Sequence, residues 1–284
     1  MPGLPKLPRV LVPTDIGPHA QKIYAHAVRL GLQRGARVVL LHVTDGPPKE
    51  VQWDRLVTVR ELLTTWGMLP PGASVEDFES LGFRVSVEAV WEAEPVRAIA
   101  RLAEDSPPWM MVLGSHQRRG LARLLKGSVS EPAARLVGVP TLFLPDSAPG
   151  FVSAATGEVA LKRVLVPLGG ELDGEAVRDV AERFVQMMGA DDCELILMHV
   201  DTLQPEARFE FPQPGIQHTR CVTRQGDIVP AILREAAHVE ADLIVMPTRG
   251  HDSPVDGIFG SRTERVVRAG AAAVLTLPVG WVQN

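Results

Sequence analysis

The sequence predicts an α/β protein made of two tandem, doubly wound domains, and three observations carry that reading. The first is an internal repeat. "RVLVP" stands at 9–13 and again at 163–167, and "SVSEPAARLVGVPTLFLP" (128–145) aligns without a gap to "SRTERVVRAGAAAVLTLP" (261–278). The second is a set of short runs such as "RVVLLHV", "WMMVLGS" and "PTLFLP", which are apolar on both faces. A strand in a parallel sheet covered by helices has that composition. The third is helical spacing between those runs: Ile23, Ala27 and Leu30 lie at i, i+4 and i+7, as do Val177, Ala181 and Phe184.

Each copy therefore reads as strand, helix, strand, helix, strand, helix, strand, helix, strand, the order of a doubly wound sheet with helices on both faces. The second strand ends in His-Val in both, at His42–Val43 and His199–Val200. The offset there is 157, against 133 in the later segment, so the first copy carries 24 extra residues within 46–82. In that insertion Val51, Leu56, Val59, Leu62 and Leu63 suggest a packed helix, while Trp53 and Trp66 suit either the core or an exposed anchor. The domains divide as 1–146 and 161–284. The stretch 147–160, rich in small residues, Gly and Ser, reads as a linker.

Composition narrows the function classes. A net charge of −5 and a pI near 5.9 argue against a general nucleic-acid binder. No apolar run approaches the roughly 20 residues of a membrane span, and the N-terminus lacks the pattern of a signal peptide. Cys193 and Cys221 have neither metal-ligand nor CxxC spacing, which suits a reducing cytoplasm.

In a doubly wound sheet, ligands bind at the carboxyl ends of strands where the strand order reverses. Asp15 follows the first strand and Gly114 ends the fourth, so both line one crevice if those strands are neighbours. Beyond Gly114 comes a basic loop with Arg118, Arg119, Arg123 and Lys126, then Gly127 and Ser128. Ser128 and Glu131 have the spacing of a capping box, as do Ser261 and Glu264. A helix N-terminus that follows a glycine also suits an anion. No Walker motif, dinucleotide fingerprint, nucleophile elbow or HExxH occurs, and His42 and His199 read as structural.

"VLVPTD", "VVLLHV" and "LGSHQRRGLARLLKGSVSE" together resemble the universal stress protein family, over residues 8–146 and 161–281. The resemblance implies a five-stranded parallel sheet of order 3-2-1-4-5 in each half. It also implies ATP in the first half. Asp15 would meet the ribose or adenine edge, the Val43 backbone the adenine, and Gly114, Gly127, Ser128, Val129 and Ser130 the phosphates. Pro13, Thr14, Leu113 and His116 would form the walls, and Mg²⁺ would bind through the phosphates. Gln117 stands where the family motif has its second glycine.

The second half departs further. Gly169 replaces the Asp and Pro247 the first glycine, leaving Gly250, Gly260 and Ser261 as a weak second site. Residues 1–146 hold 17 Lys/Arg against 15 Asp/Glu, whereas 147–284 hold 12 against 19, so a polyanion should prefer the first half. The expectation is an ATP-binding stress-response regulator in the cytoplasm, not an enzyme beyond slow ATP hydrolysis. The alternatives are an interaction module with decayed sites, or an enzyme acting on a small anion.

The fifth strand of such a sheet is an edge, and an apolar edge invites pairing. The halves are expected to pair as a pseudo-dimer, Leu142–Leu144 facing Leu275–Leu277, with a homodimer through the same edge as the other option.

Overall fold

The computed structural model describes residues 7–44, 46, 51–115, 129–169, 174–201, 209–216, 218–248, 262–278 and 281. The first half runs β1 (Arg9–Pro13), α1 (Ala20–Arg34), β2 (Arg37–Thr44), α2 (Val59–Thr65), α3 (Val75–Ser80), β3 (Arg84–Trp91), α4 (Pro95–Asp105), β4 (Met110–Ser115), α5 (Ser130–Val137) and β5 (Thr141–Pro145). The second runs β6 (Arg163–Leu168), α6 (Gly174–Met187), β7 (Glu194–Asp201), β8 (Thr219–Gln225), α7 (Ile228–His238), β9 (Leu243–Thr248), α8 (Arg262–Ala269) and β10 (Ala273–Pro278).

The strands form one ten-stranded sheet, ordered β3-β2-β1-β4-β5-β10-β9-β6-β7-β8. Each half is thus a 3-2-1-4-5 parallel sheet, and the seam between β5 and β10 is antiparallel. Alternation explains the apolar runs. Val10 and Val12 face a core beneath α1, and Leu11 faces one beneath α4 and α5, all at 0–1% exposure. Burial of each such side chain contributes about 1.5–3 kcal/mol relative to exposure. Both cores continue across the seam into the second half. No helix of the described residues is long and apolar enough to cross a membrane.

The seam is pseudo-symmetric. Leu142 opposes Leu275, Phe143 opposes Val274, and Thr141 opposes Thr276. Leu142 and Leu275 are equivalent in the repeat, 133 positions apart, so the pseudo-twofold passes between them. The expected pairing is therefore corrected in register: it centres on Leu142 and Leu275, and Leu144 does not face Leu277. Two reciprocal ion pairs flank the axis. Arg268 Nε donates to both Glu131 carboxylate oxygens (3.0 and 2.9 Å), and Arg135 pairs with Glu264. Glu131 is 9% exposed on its side chain, and a fork-like Arg–carboxylate contact there is stronger than a surface pair.

The connection between the halves packs against both of them. Phe151 and Val152 are 1% and 3% exposed, and Val152 bridges Val159. Phe151 lies edge-on between His26 of α1 and Phe184 of α6, with ring centroids 4.8 and 6.2 Å away. Lys22 Nζ, one turn before His26, donates to the carbonyls of Pro145 (2.5 Å) and Ala148 (2.7 Å). The small residues are there because rings approach them. A Cβ on Gly150 would lie 2.5 Å from the His26 ring, and one on Gly157 would lie 2.4 Å from the Trp66 ring.

The insertion supplies α2, and Leu62 and Leu63 bury its inner face (2% and 0% exposed). Both tryptophans pack rather than protrude. Trp66 Nε1 donates to Ala154 O of the connection (3.1 Å), and Trp53 stands edge-on to His42.

Candidate functional site

The strands β1 and β4 are neighbours, so Asp15 and Gly114 flank one opening. Their pairing covers only Val10–Met110 and Leu11–Met111, although β1 continues to Pro13 and β4 to Ser115. By contrast β4 stays paired with β5 through Ser115. The sheet therefore parts between β1 and β4 at their carboxyl ends, which is the switch point where doubly wound folds hold ligands. The second half repeats this: β6 and β9 pair only at Val164–Leu243 and Leu165–Ile244.

The turn after β1 is held by a set of backbone and side-chain hydrogen bonds. Thr14 N donates to Leu41 O (2.9 Å), and His42 Nδ1–H donates to Thr14 O (2.7 Å), which ties the ends of β1 and β2 together. His199 Nδ1–H makes the equivalent bond to Leu168 O (3.2 Å), so both histidines serve as strand-end ties. Ile16 N donates to Thr14 Oγ1 (3.1 Å), and Gly17 N donates to Asp15 Oδ1 (2.9 Å). Asp15 itself is exposed at the opening, with its carboxylate direction set by that second bond.

Ile16 has φ 56, in the left-handed region. For a β-branched residue this is a true outlier that costs on the order of 1–3 kcal/mol. Its side chain is 7% exposed and joins the α1-side core, which offsets a similar amount. Sequence reading passed over Ile16. The only signal was its place between Asp15 and Gly17, which marks a turn but not which residue bears the positive φ.

On the β4 side of the opening Leu113 and Gly114 are buried, and on the Asp15 side Pro13 and Val43 are half-buried. Ser130 Oγ donates to Gly114 O (2.7 Å), which draws the start of α5 onto the end of β4. The Ser115 hydroxyl is buried and finds no hydrogen-bond partner among the described residues. The capping boxes expected at Ser128 and Ser261 lie outside the described residues. The residue before the first turn of α5 is Val129, which makes no side-chain cap and is exposed, and the Glu131 and Glu264 carboxylates are taken by arginines across the seam. His116, Gln117, Gly127 and Ser128, and the four basic loop residues, lie outside the described residues, as do Gly250, Gly260 and Ser261.

In the second half the strand ends carry other groups. Among the described residues nothing lies within 4 Å of where a Cβ on Gly169 would stand. Phe209 stacks flat on His199 (centroids 3.9 Å, 1° between planes), and the other His199 nitrogen, Nε2, lies 3.3 Å from Asp201 Oδ1. Pro247 sits in β9, where it offers no backbone N–H. Among the described residues no group of three His, Cys, Asp or Glu could hold a metal ion, and both cysteines are free.

Comparison with known proteins agrees with this architecture. The profile of the universal stress protein family matches residues 6–145 and 203–278. A universal stress protein of Methanocaldococcus jannaschii is 27% identical over 139 residues, covering 47% of this chain and 79% of its own length. One of Synechocystis is 28% identical over 143 residues, covering 43% and 88%. A solved universal stress protein from Archaeoglobus fulgidus superposes with a TM-score of 0.62 at 19% identity, covering 96% of this chain and 97% of its own. With both halves matched, and with two 3-2-1-4-5 sheets joined at their fifth strands, the chain belongs to the universal stress protein family as a tandem member.

Proposed function

We propose that the first half binds ATP in the opening between β1 and β4, and that the chain is a stress-response regulator that reports adenine nucleotide. The parting of those strands beyond Leu11 and Met111, with Asp15 on one lip and Gly114 on the other, is the observation that supports this most. Asp15 is the acceptor for the nucleoside. The Val43 backbone meets the adenine, Pro13, Thr14, Leu113, His116 and Gln117 wall the opening, and the segment Gly127–Ser130 meets the phosphates. The Ser115 hydroxyl at the end of β4, which has no partner among the described residues, also suits an anionic guest. Mg²⁺ would be held through the phosphates. Any ATP hydrolysis is expected to be slow.

Titration calorimetry with MgATP tests this directly. One tight site per chain is expected, since Gly169, Pro247 and the acidic balance of the second half disfavour a second. Two equivalent sites would refute the asymmetry, and no heat with any adenine nucleotide would favour the decayed interaction module. Asp15→Ala should weaken binding by about 1–3 kcal/mol. Asp15→Asn keeps an oxygen for Gly17 N and should lose less; equal losses would mean that the carboxylate charge, and not the acceptor oxygen, carries the effect.

A further inference from the structure

We propose that Ile16 is a positioning residue: its buried side chain locks the Thr14–Gly17 turn, and with it the Asp15 carboxylate, in the form that meets the ligand. The inference rests on the nucleotide reading above, but its geometry stands alone. A glycine at position 16 would adopt φ 56 without strain, so nothing in the backbone calls for isoleucine there. A strained conformation persists only where its surroundings over-determine it. Here they do so from both sides. The side chain is held in the α1-side core with Ala20 and Ile23. The backbone is held by Ile16 N to Thr14 Oγ1 and by Gly17 N to Asp15 Oδ1, and Thr14 is in turn tied to β2 through Leu41 O and His42. Rotating Ile16 out of the left-handed region would pull its side chain from the core and redirect both neighbouring N–H groups. The Asp15 carboxylate would then lose the bond that aims it. The strain thus excludes other turn conformations before the ligand arrives, so less ordering remains to be done on binding.

The test compares Ile16→Gly and Ile16→Val with the wild-type chain by amide hydrogen exchange and by MgATP titration. Ile16→Gly keeps the permitted φ but removes the anchor. It should speed exchange of the Gly17 amide about tenfold or more, leave the Val10–Val12 amides slow, and weaken MgATP about tenfold. Ile16→Val keeps β-branching and most of the burial, and both quantities should stay within about threefold of wild type. Unchanged exchange at Gly17 in Ile16→Gly overturns the proposal, and so does faster exchange with full MgATP affinity. If the wild-type chain itself fails to bind MgATP, the nucleotide reading falls. The exchange comparison then still decides whether Ile16 holds the turn.

Discussion

Leu275→Lys is expected to destabilise the whole chain by about 4 kcal/mol or more, the scale of an unpaired charge placed in a core. Leu275 is 1% exposed and opposes Leu142, which is fully buried, on the pseudo-twofold between β5 and β10. An ammonium group there has no acidic partner on either strand. It must be buried neutral, or the seam must open around it. Because the cores continue across the seam, opening it exposes apolar side chains of both halves. Leu275→Met should cost less than about 1.5 kcal/mol, since volume and polarity are nearly kept. Leu136→Lys on α5, where the leucine is 48% exposed, should change little and controls for added charge. Urea denaturation of the three variants checks the point. A Leu275→Lys midpoint equal to that of Leu136→Lys would mean that the seam contributes nothing to folding stability.

The α/β class and the tandem repeat were legible because runs apolar on both faces recur in each half. The strand order, and with it the placing of the first and fourth strands side by side, was an implication of the family resemblance and not of periodicity. Partners between distant residues left no such trace. Glu131 and Arg135, like Glu264 and Arg268, stand four apart on a helix, the spacing of a local pair. In the fold each glutamate takes the arginine of the other half instead. The repeat itself held the clue, since two equivalent Glu–Arg pairs beside a twofold can exchange partners at no cost in geometry. The packing of the connection was not legible for a different reason. Small residues are as characteristic of close approach to a ring as of flexibility, and only the His26 and Trp66 rings reveal which applies. The left-handed Ile16 runs against residue preference altogether, so no propensity argument reaches it.

His26 gives the other large effect, and it can be separated from simple loss of packing. The imidazole is fully buried on α1. Its Nε2 accepts from Phe151 N (3.0 Å) and Val152 N (3.1 Å), and both of those groups can only donate. The proton therefore sits on Nδ1, which donates to Lys22 O (2.8 Å). His26→Leu leaves two buried N–H groups of the connection unsatisfied and should cost about 2–5 kcal/mol. His26→Gln can offer an oxygen to one or both and should recover part of that. Acid distinguishes the roles further. Burial pushes the His26 pKa down to about 4, from an ordinary value near 6.5. Between those values the unfolded chain binds a proton that the native chain refuses. The stabilisation is thus complete above pH 6.5 and is lost progressively as the pH falls towards 4. From pH 7.5 to 5 the wild-type chain should lose about 2 kcal/mol through this group alone. His26→Gln cannot titrate, so its stability should fall less over the same range by about that amount. Denaturant midpoints measured for both proteins at the two pH values give the difference. Parallel pH profiles would show that the imidazole is not the acid-sensitive clasp between α1 and the connection.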